Sequence, residues 1–156
     1  MKRTLMGVAV ALAVGVSGWT LAGAQESETG HAIDVYKTPT CGCCAIWVDH
    51  LREHGFKVTV TDVPNVVPLK QRLGIQPELS SCHTAVVNDY AIEGHVPASD
   101  ILRLLREGPR VAGLAVPGMP LGSPGMEMPD PSRHERYDVI AFDRQGGMEV
   151  WATHGP

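Results

Sequence analysis

The stretch Ala32-Ile33-Asp34-Val35-Tyr36-Lys37-Thr38-Pro39-Thr40-Cys41-Gly42-Cys43-Cys44 decides how the rest of the chain is read. Its first six residues alternate apolar and polar side chains, the period of a strand with one buried face. Thr38-Pro39-Thr40 then ends the strand in a turn. From the cysteines to Gly55 the pattern is helical. Ile46, Trp47, Leu51 and the cysteine side chains recur at three- and four-residue spacing, and Gly55 stands where a helix would stop. Three of the four cysteines thus fall at a strand-to-helix junction.

Outward from that junction, Phe56 to Val63 alternates again and predicts a second strand. Val66 to Leu73 predicts a short helix ended by Gly74. Ala85–Val87 and Tyr90–Ile92 flank Asn88-Asp89, a hairpin with turn residues at its tip. Pro97-Ala98-Ser99-Asp100 opens a helix that carries Ile101, Leu104 and Leu105 on one face, with Ser99 or Asp100 expected in the capping region. The order is strand, helix, strand, helix, strand, strand, helix. That is an α/β chain, and a βαβ unit followed by a β-hairpin and a packing helix predicts a thioredoxin-like fold. Pro117, Gly118, Pro120, Gly122, Pro124, Gly125 and Pro129 make Gly113 to Pro131 a loop in this reading, neither helix nor central strand. Tyr137–Phe142 and Met148–Trp151 around Gly146-Gly147 predict a C-terminal hairpin.

The chain has 156 residues and opens on the cationic Met1-Lys2-Arg3, an apolar run from Leu5 to Val16, and Leu21-Ala22-Gly23-Ala24-Gln25. This is the pattern of a secretory signal peptide cleaved after Ala24. Residues 1–24 are therefore read as the signal and 25–156 as one exported domain of the bacterial periplasm. Without Lys2 and Arg3, the 13 basic residues fall to 11 against 17 acidic ones, and the net charge moves from −4 to −6. An acidic chain with no basic stripe excludes a nucleic-acid partner. Past residue 24 no run is long and apolar enough to cross a membrane. The expectation is a monomer without membrane attachment, and no hydrolase or transferase signature is present.

The chemistry concentrates at Cys41-Gly42-Cys43-Cys44 and Cys82. A disulfide inside Cys41–Cys44 would constrain only a tiny loop and stabilise little. A Cys-x-x-Cys pair at a helix N-terminus favours thiolate, which serves both disulfide exchange and soft-metal binding. Exchange needs two cysteines, and a third thiol beside them favours a soft metal such as copper(I). Zinc also accepts four cysteines, but structural zinc sites draw them from two separated pairs. Adjacent Cys43 and Cys44 suit bridging thiolates in a multinuclear copper(I) site better. Cys82 precedes the third strand and is expected across the pocket from Cys41. His95, at the end of the fourth strand, and Met119 and Met126 in the Gly/Pro loop are candidate further ligands, since thioethers select copper(I) over zinc. Met128 shares that loop, and His83 adjoins Cys82. His50 lies roughly 10 Å along the helix from Cys43 at 1.5 Å per residue, so His50 and His54 are read as solvated. A thiol–disulfide oxidoreductase using Cys41 and Cys44, or a structural zinc module, remains an alternative.

Several stretches together resemble one family: Thr38-Pro39-Thr40-Cys41-Gly42-Cys43-Cys44, Ser81-Cys82-His83-Thr84, Glu93-Gly94-His95-Val96-Pro97, Gly113-Leu114-Ala115-Val116-Pro117-Gly118-Met119-Pro120 and Gly122-Ser123-Pro124-Gly125-Met126. The chain is similar over Ile33 to Trp151 to the CopG-like periplasmic proteins. The resemblance implies a thioredoxin-like fold, a role in copper resistance, and copper held by Cys41, Cys43, Cys44 and Cys82. An envelope copper carrier or an efflux pump is the expected partner.

Overall fold

The computed structural model describes residues 30–156, so the expected signal peptide lies outside the described residues. Among the described residues seven strands form one sheet: β1 Ala32–Lys37, β2 Lys57–Asp62, β3 Thr84–Val87, β4 Tyr90–Glu93, β5 Gly113–Ala115, β6 Tyr137–Phe142 and β7 Met148–His154. Their spatial order is β2-β1-β3-β4-β5-β6-β7. The helices are α1 Gly42–Glu53, α2 Val67–Leu73 and α3 Ala98–Glu107. The chain is a mixed α/β protein, as its sequence pattern predicts.

β1 turns Ile33 and Val35 inward, where α1 covers them with Trp47, Val48 and Leu51, and α3 adds Ile101 and Leu104. The opposite face of the sheet offers Ala91, Ala115 and Phe142 to Ile75 and Leu79, on the segment after α2. Alternation along β4, β5 and β6 thus feeds two cores, one on each face. The β3–β4 hairpin turns through Asn88, whose φ of 50° is the left-handed conformation that asparagine tolerates. α2 ends at Gly74, also left-handed at φ 76°.

Four local expectations are corrected. Gly113–Ala115 is a strand, paired parallel to β4 and antiparallel to β6, and so lies inside the sheet. From Gly113 onward the first proline is Pro117, so Gly113-Leu114-Ala115 keeps its N–H groups for pairing. Glycine is required at its head, because a Cβ on Gly113 would sit 1.8 Å from the Ala91 carbonyl oxygen. Ile46 points to solvent at 55% exposure, and Val48 takes its place in the core. The third correction concerns α3. Neither Ser99 nor Asp100 caps the helix, since Pro97 is the N-cap and makes no side-chain bond. His50 does that work from α1, with Nε2 accepting the Ala98 N–H at 3.1 Å. His50 is accordingly half-buried, not solvated, while His54 is exposed. Asp100 is instead buried against β7, where its carboxylate accepts from His154 Nε2 at 2.7 Å. No helix among the described residues is long and apolar enough to cross a membrane.

Candidate metal centre

The end of β1 and the start of α1 deliver three cysteines together. Cys41 is the N-cap of α1, its N–H held by the Thr38 carbonyl at 3.1 Å, so Cys41, Cys43 and Cys44 ride on the first helical turn. Cys82 comes from the loop entering β3. The four sulfur atoms lie within 4.8 Å of one another. Cys41 and Cys44 are joined by a disulfide, while Cys43 and Cys82 are free. Cys44 Sγ lies 3.4 Å from Cys82 Sγ, and Cys41 Sγ lies 3.6 Å from Cys43 Sγ. Cys82 thus does sit against the cluster. In this state Cys41 and Cys44 are not thiolates, and they become ligand groups only after two-electron reduction.

Two histidines face Cys82 from the protein side. His95 Nε2 is 3.2 Å from Cys82 Sγ, and its Nδ1 is 2.7 Å from the Pro124 carbonyl. A carbonyl only accepts, so Nδ1 carries the ring proton, and in the neutral ring the Nε2 lone pair points at sulfur. His83 Nδ1 is 3.3 Å from the same sulfur, and its fully buried Nε2 has no hydrogen-bond partner among the described residues. Cys82, His83 and His95 thus form a second group of potential donors that shares Cys82 with the four-cysteine group. Trp47 packs against His83 with ring centroids 4.3 Å apart and planes tilted by 42°, and donates Nε1–H to the Val96 carbonyl at 2.9 Å.

The Gly/Pro loop closes the other side. Met119 Sδ is 4.0 Å from Cys43 Sγ, with the side chain 50% exposed, so it stands at the mouth of the cluster. Met126 is half-buried, its backbone closing turns with Gly122 and Ser123. Met128 is half-buried too, and its carbonyl lies 3.1 Å from His134 Nε2. Gly125 lets the loop press onto α1: at φ +85°, an added Cβ would lie 2.8 Å from the Cys43 carbonyl oxygen and 2.9 Å from the Trp47 nitrogen. Gly125→Ala is expected to lift the loop, costing about 1 kcal/mol or more. Alkylation of Cys43 should then run faster than in the parent, and an unchanged rate would show that the loop does not shield it.

Electrostatics follow from burial. Burial first, then the Cys43 sulfur, pushes the Cys82 thiol up to about 11, against the pull of the Ser81 hydroxyl. Burial, then His95 and the positive Lys70, holds His83 well below 6.5. Burial also lowers His95, against the Pro124 carbonyl. Both rings therefore stay neutral in the fold. Below pH 6.5 the unfolded chain takes up protons that the native chain refuses, so stability falls as pH falls. From pH 7 to about 5 His83 alone is expected to remove up to roughly 2 kcal/mol. Urea midpoints of the metal-free protein should drop accordingly, and a flat profile over that range would contradict a buried neutral His83.

Two solved structures, of copper resistance protein copG in its Form 1 and Form 2, are similar to this chain. Each is 46% identical, and they align over 81% and 80% of this chain and 99% and 98% of theirs, with TM-scores of 0.76 and 0.75. The chain belongs to the CopG copper-resistance family. A family profile described as "Protein of unknown function, DUF411" also matches residues 79–126, from Leu79 to Met126 within the Gly/Pro loop. No curated protein sequence matches. For a CopG-family chain the cysteine cluster is the natural place for a metal, and its sulfur-rich donor set is chemically soft.

Sequence reasoning did not reach the groups beneath this centre. Lys70 and Glu93 form a buried ion pair under the Cys82 loop. A carboxylate at the end of a short strand carries no periodic signal, and its partner lies 23 residues away.

Proposed function

We propose that this protein binds copper(I) in the bacterial cell envelope as part of copper resistance. The observation that carries the proposal is the convergence of four cysteine sulfurs within 4.8 Å, beside the bare Nε2 of His95. Once the Cys41–Cys44 bond is reduced, Cys41, Cys43, Cys44 and Cys82 would offer four thiolates, close enough to bridge more than one copper ion. His95, His83 and Met119 are the further donors nearest the cluster, and Met126 lies in the same loop as Met119. Sulfur and imidazole donors favour copper(I) over harder ions. The β1-α1-β2 unit, the β3–β4 hairpin and α3 support a thioredoxin-like reading of the first four strands, with β5, β6 and β7 as an extension of the sheet.

The disulfide adds a redox reading of the same centre. Closing the bond from two thiolates releases two electrons, enough to convert two copper(II) ions to copper(I). Reopening it to two thiolates takes up two electrons from a thiol reductant, and two protons as well only if the products are thiols. The same disulfide also favours a second reading, a thiol–disulfide oxidoreductase, because it joins the Cys-x-x-Cys pair at a helix N-terminus.

An anaerobic titration of the reduced protein with copper(I), zinc and a disulfide substrate separates the readings. Copper(I) is expected to displace zinc and to bind with loss of free thiols. Tighter binding of zinc would overturn the copper proposal. Disulfide reduction that survives loss of both Cys43 and Cys82 would favour the oxidoreductase.

A further inference from the structure

Glu93 is fully buried at the end of β4, and its contacts straddle Cys82. One carboxylate oxygen, Oε1, accepts the Ser81 N–H at 2.6 Å and the Lys70 ammonium. The other, Oε2, accepts the Thr84 hydroxyl at 2.7 Å. Lys70 Nζ also reaches Thr84 Oγ1 at 3.0 Å, closing a ring of three side chains. Ser81 precedes Cys82 and Thr84 follows it by two, so one carboxylate grips the chain on both sides of the Cys82–His83 pair. The grip extends further. The Ser81 hydroxyl donates to the Gly118 carbonyl, next to Met119, and the Glu93 carbonyl accepts the Val116 N–H at 2.9 Å. Close packing reinforces it, since a Cβ on Gly94 would lie 2.6 Å from Ser81 Cβ.

A buried carboxylate is costly unless it is paired and hydrogen-bonded. Here the bonds it makes end on Ser81 in the Cys82 loop, on Thr84 at the head of β3, or on the lysine that neutralises it. Holding Ser81 through its backbone N–H makes the grip independent of the Ser81 rotamer. We propose that Glu93, neutralised by Lys70, is the positioning residue that sets Cys82 against Cys44 and, through Ser81, fixes the approach of the Met119 loop. The Glu93 carboxylate itself is engaged by Ser81, Thr84 and Lys70, so it acts through the backbone and not as a ligand.

Its bearing on copper rests on the function proposed above, so the test reads the metal-free protein as well. Hydrogen exchange at the Ser81 amide reports the grip directly, and copper(I) competition reports its consequence. Glu93→Gln is expected to speed exchange at Ser81 selectively and to weaken copper(I) binding about tenfold or more, the range for outer partners of metal sites. Because Glu93→Gln strands the Lys70 charge, Glu93→Gln combined with Lys70→Met provides a neutral network in which the introduced amide oxygen can still accept from Ser81. That double variant should recover most of both properties. Val139→Ala, a core change elsewhere, should lower the melting temperature and leave Ser81 protection and copper(I) affinity unchanged under native conditions. Unchanged protection of Ser81 in both Glu93 variants would overturn the proposal. Lost protection with undiminished copper(I) affinity would uphold Glu93 as the anchor of the loop and contradict the copper ligation of Cys82 instead.

Discussion

Cys82→Ser is expected to weaken copper(I) binding by the reduced protein by about 100-fold or more. Outer partners of a metal site are commonly worth about 10- to 100-fold, and Cys82 stands inside the cluster, 3.4 Å from Cys44 and 3.2 Å from His95. A hydroxyl retains the size of the side chain but replaces a soft, polarisable donor with a hard one. The effect should be specific to the metal. Cys82 is only half-buried, so the metal-free fold should lose little stability. Competition against a copper(I) chelator measures the affinity, and full binding by Cys82→Ser would remove Cys82 from the ligand set.

The second large effect is on stability. Trp47→Ala removes a fully buried indole between α1 and the histidine pair. Losing an aromatic side chain of this kind costs about 3–5 kcal/mol, and the Val96 carbonyl also loses its donor. For a chain of this size that corresponds to a fall in melting temperature of about 6–20 °C. Trp47→Phe should fall between parent and alanine variant, because it keeps the packing and loses the hydrogen bond. Thermal unfolding of the metal-free protein measures both. A shift of only a few degrees for Trp47→Ala would mean that α1 is anchored elsewhere, and that His83 is not held by the indole.

Local chemistry explains which features were legible beforehand. Strand period, the Asn88-Asp89 turn and the glycine stops at Gly55 and Gly74 are properties of a few adjacent residues, and they located six of the seven strands. β5 was hidden because three residues are too few for a period and the glycines and prolines that follow dominate the segment. At the centre, the placement of Cys82 beside the other cysteines followed from element order alone. The roles of His50, Lys70 and Glu93 did not, because each is decided by a partner at least 14 residues away. The oxidation state of Cys41 and Cys44 was equally out of reach, since the same motif suits a disulfide and a pair of ligands.

Copper K-edge X-ray absorption of the reduced, copper(I)-loaded protein tests the central claim most directly, because it reads the atoms bound to the metal. The expected spectrum is that of copper(I) bound mainly by sulfur, with the sulfur contribution reduced in Cys82→Ser. A first shell made of nitrogen and oxygen alone, or one unaltered by Cys82→Ser, would contradict it.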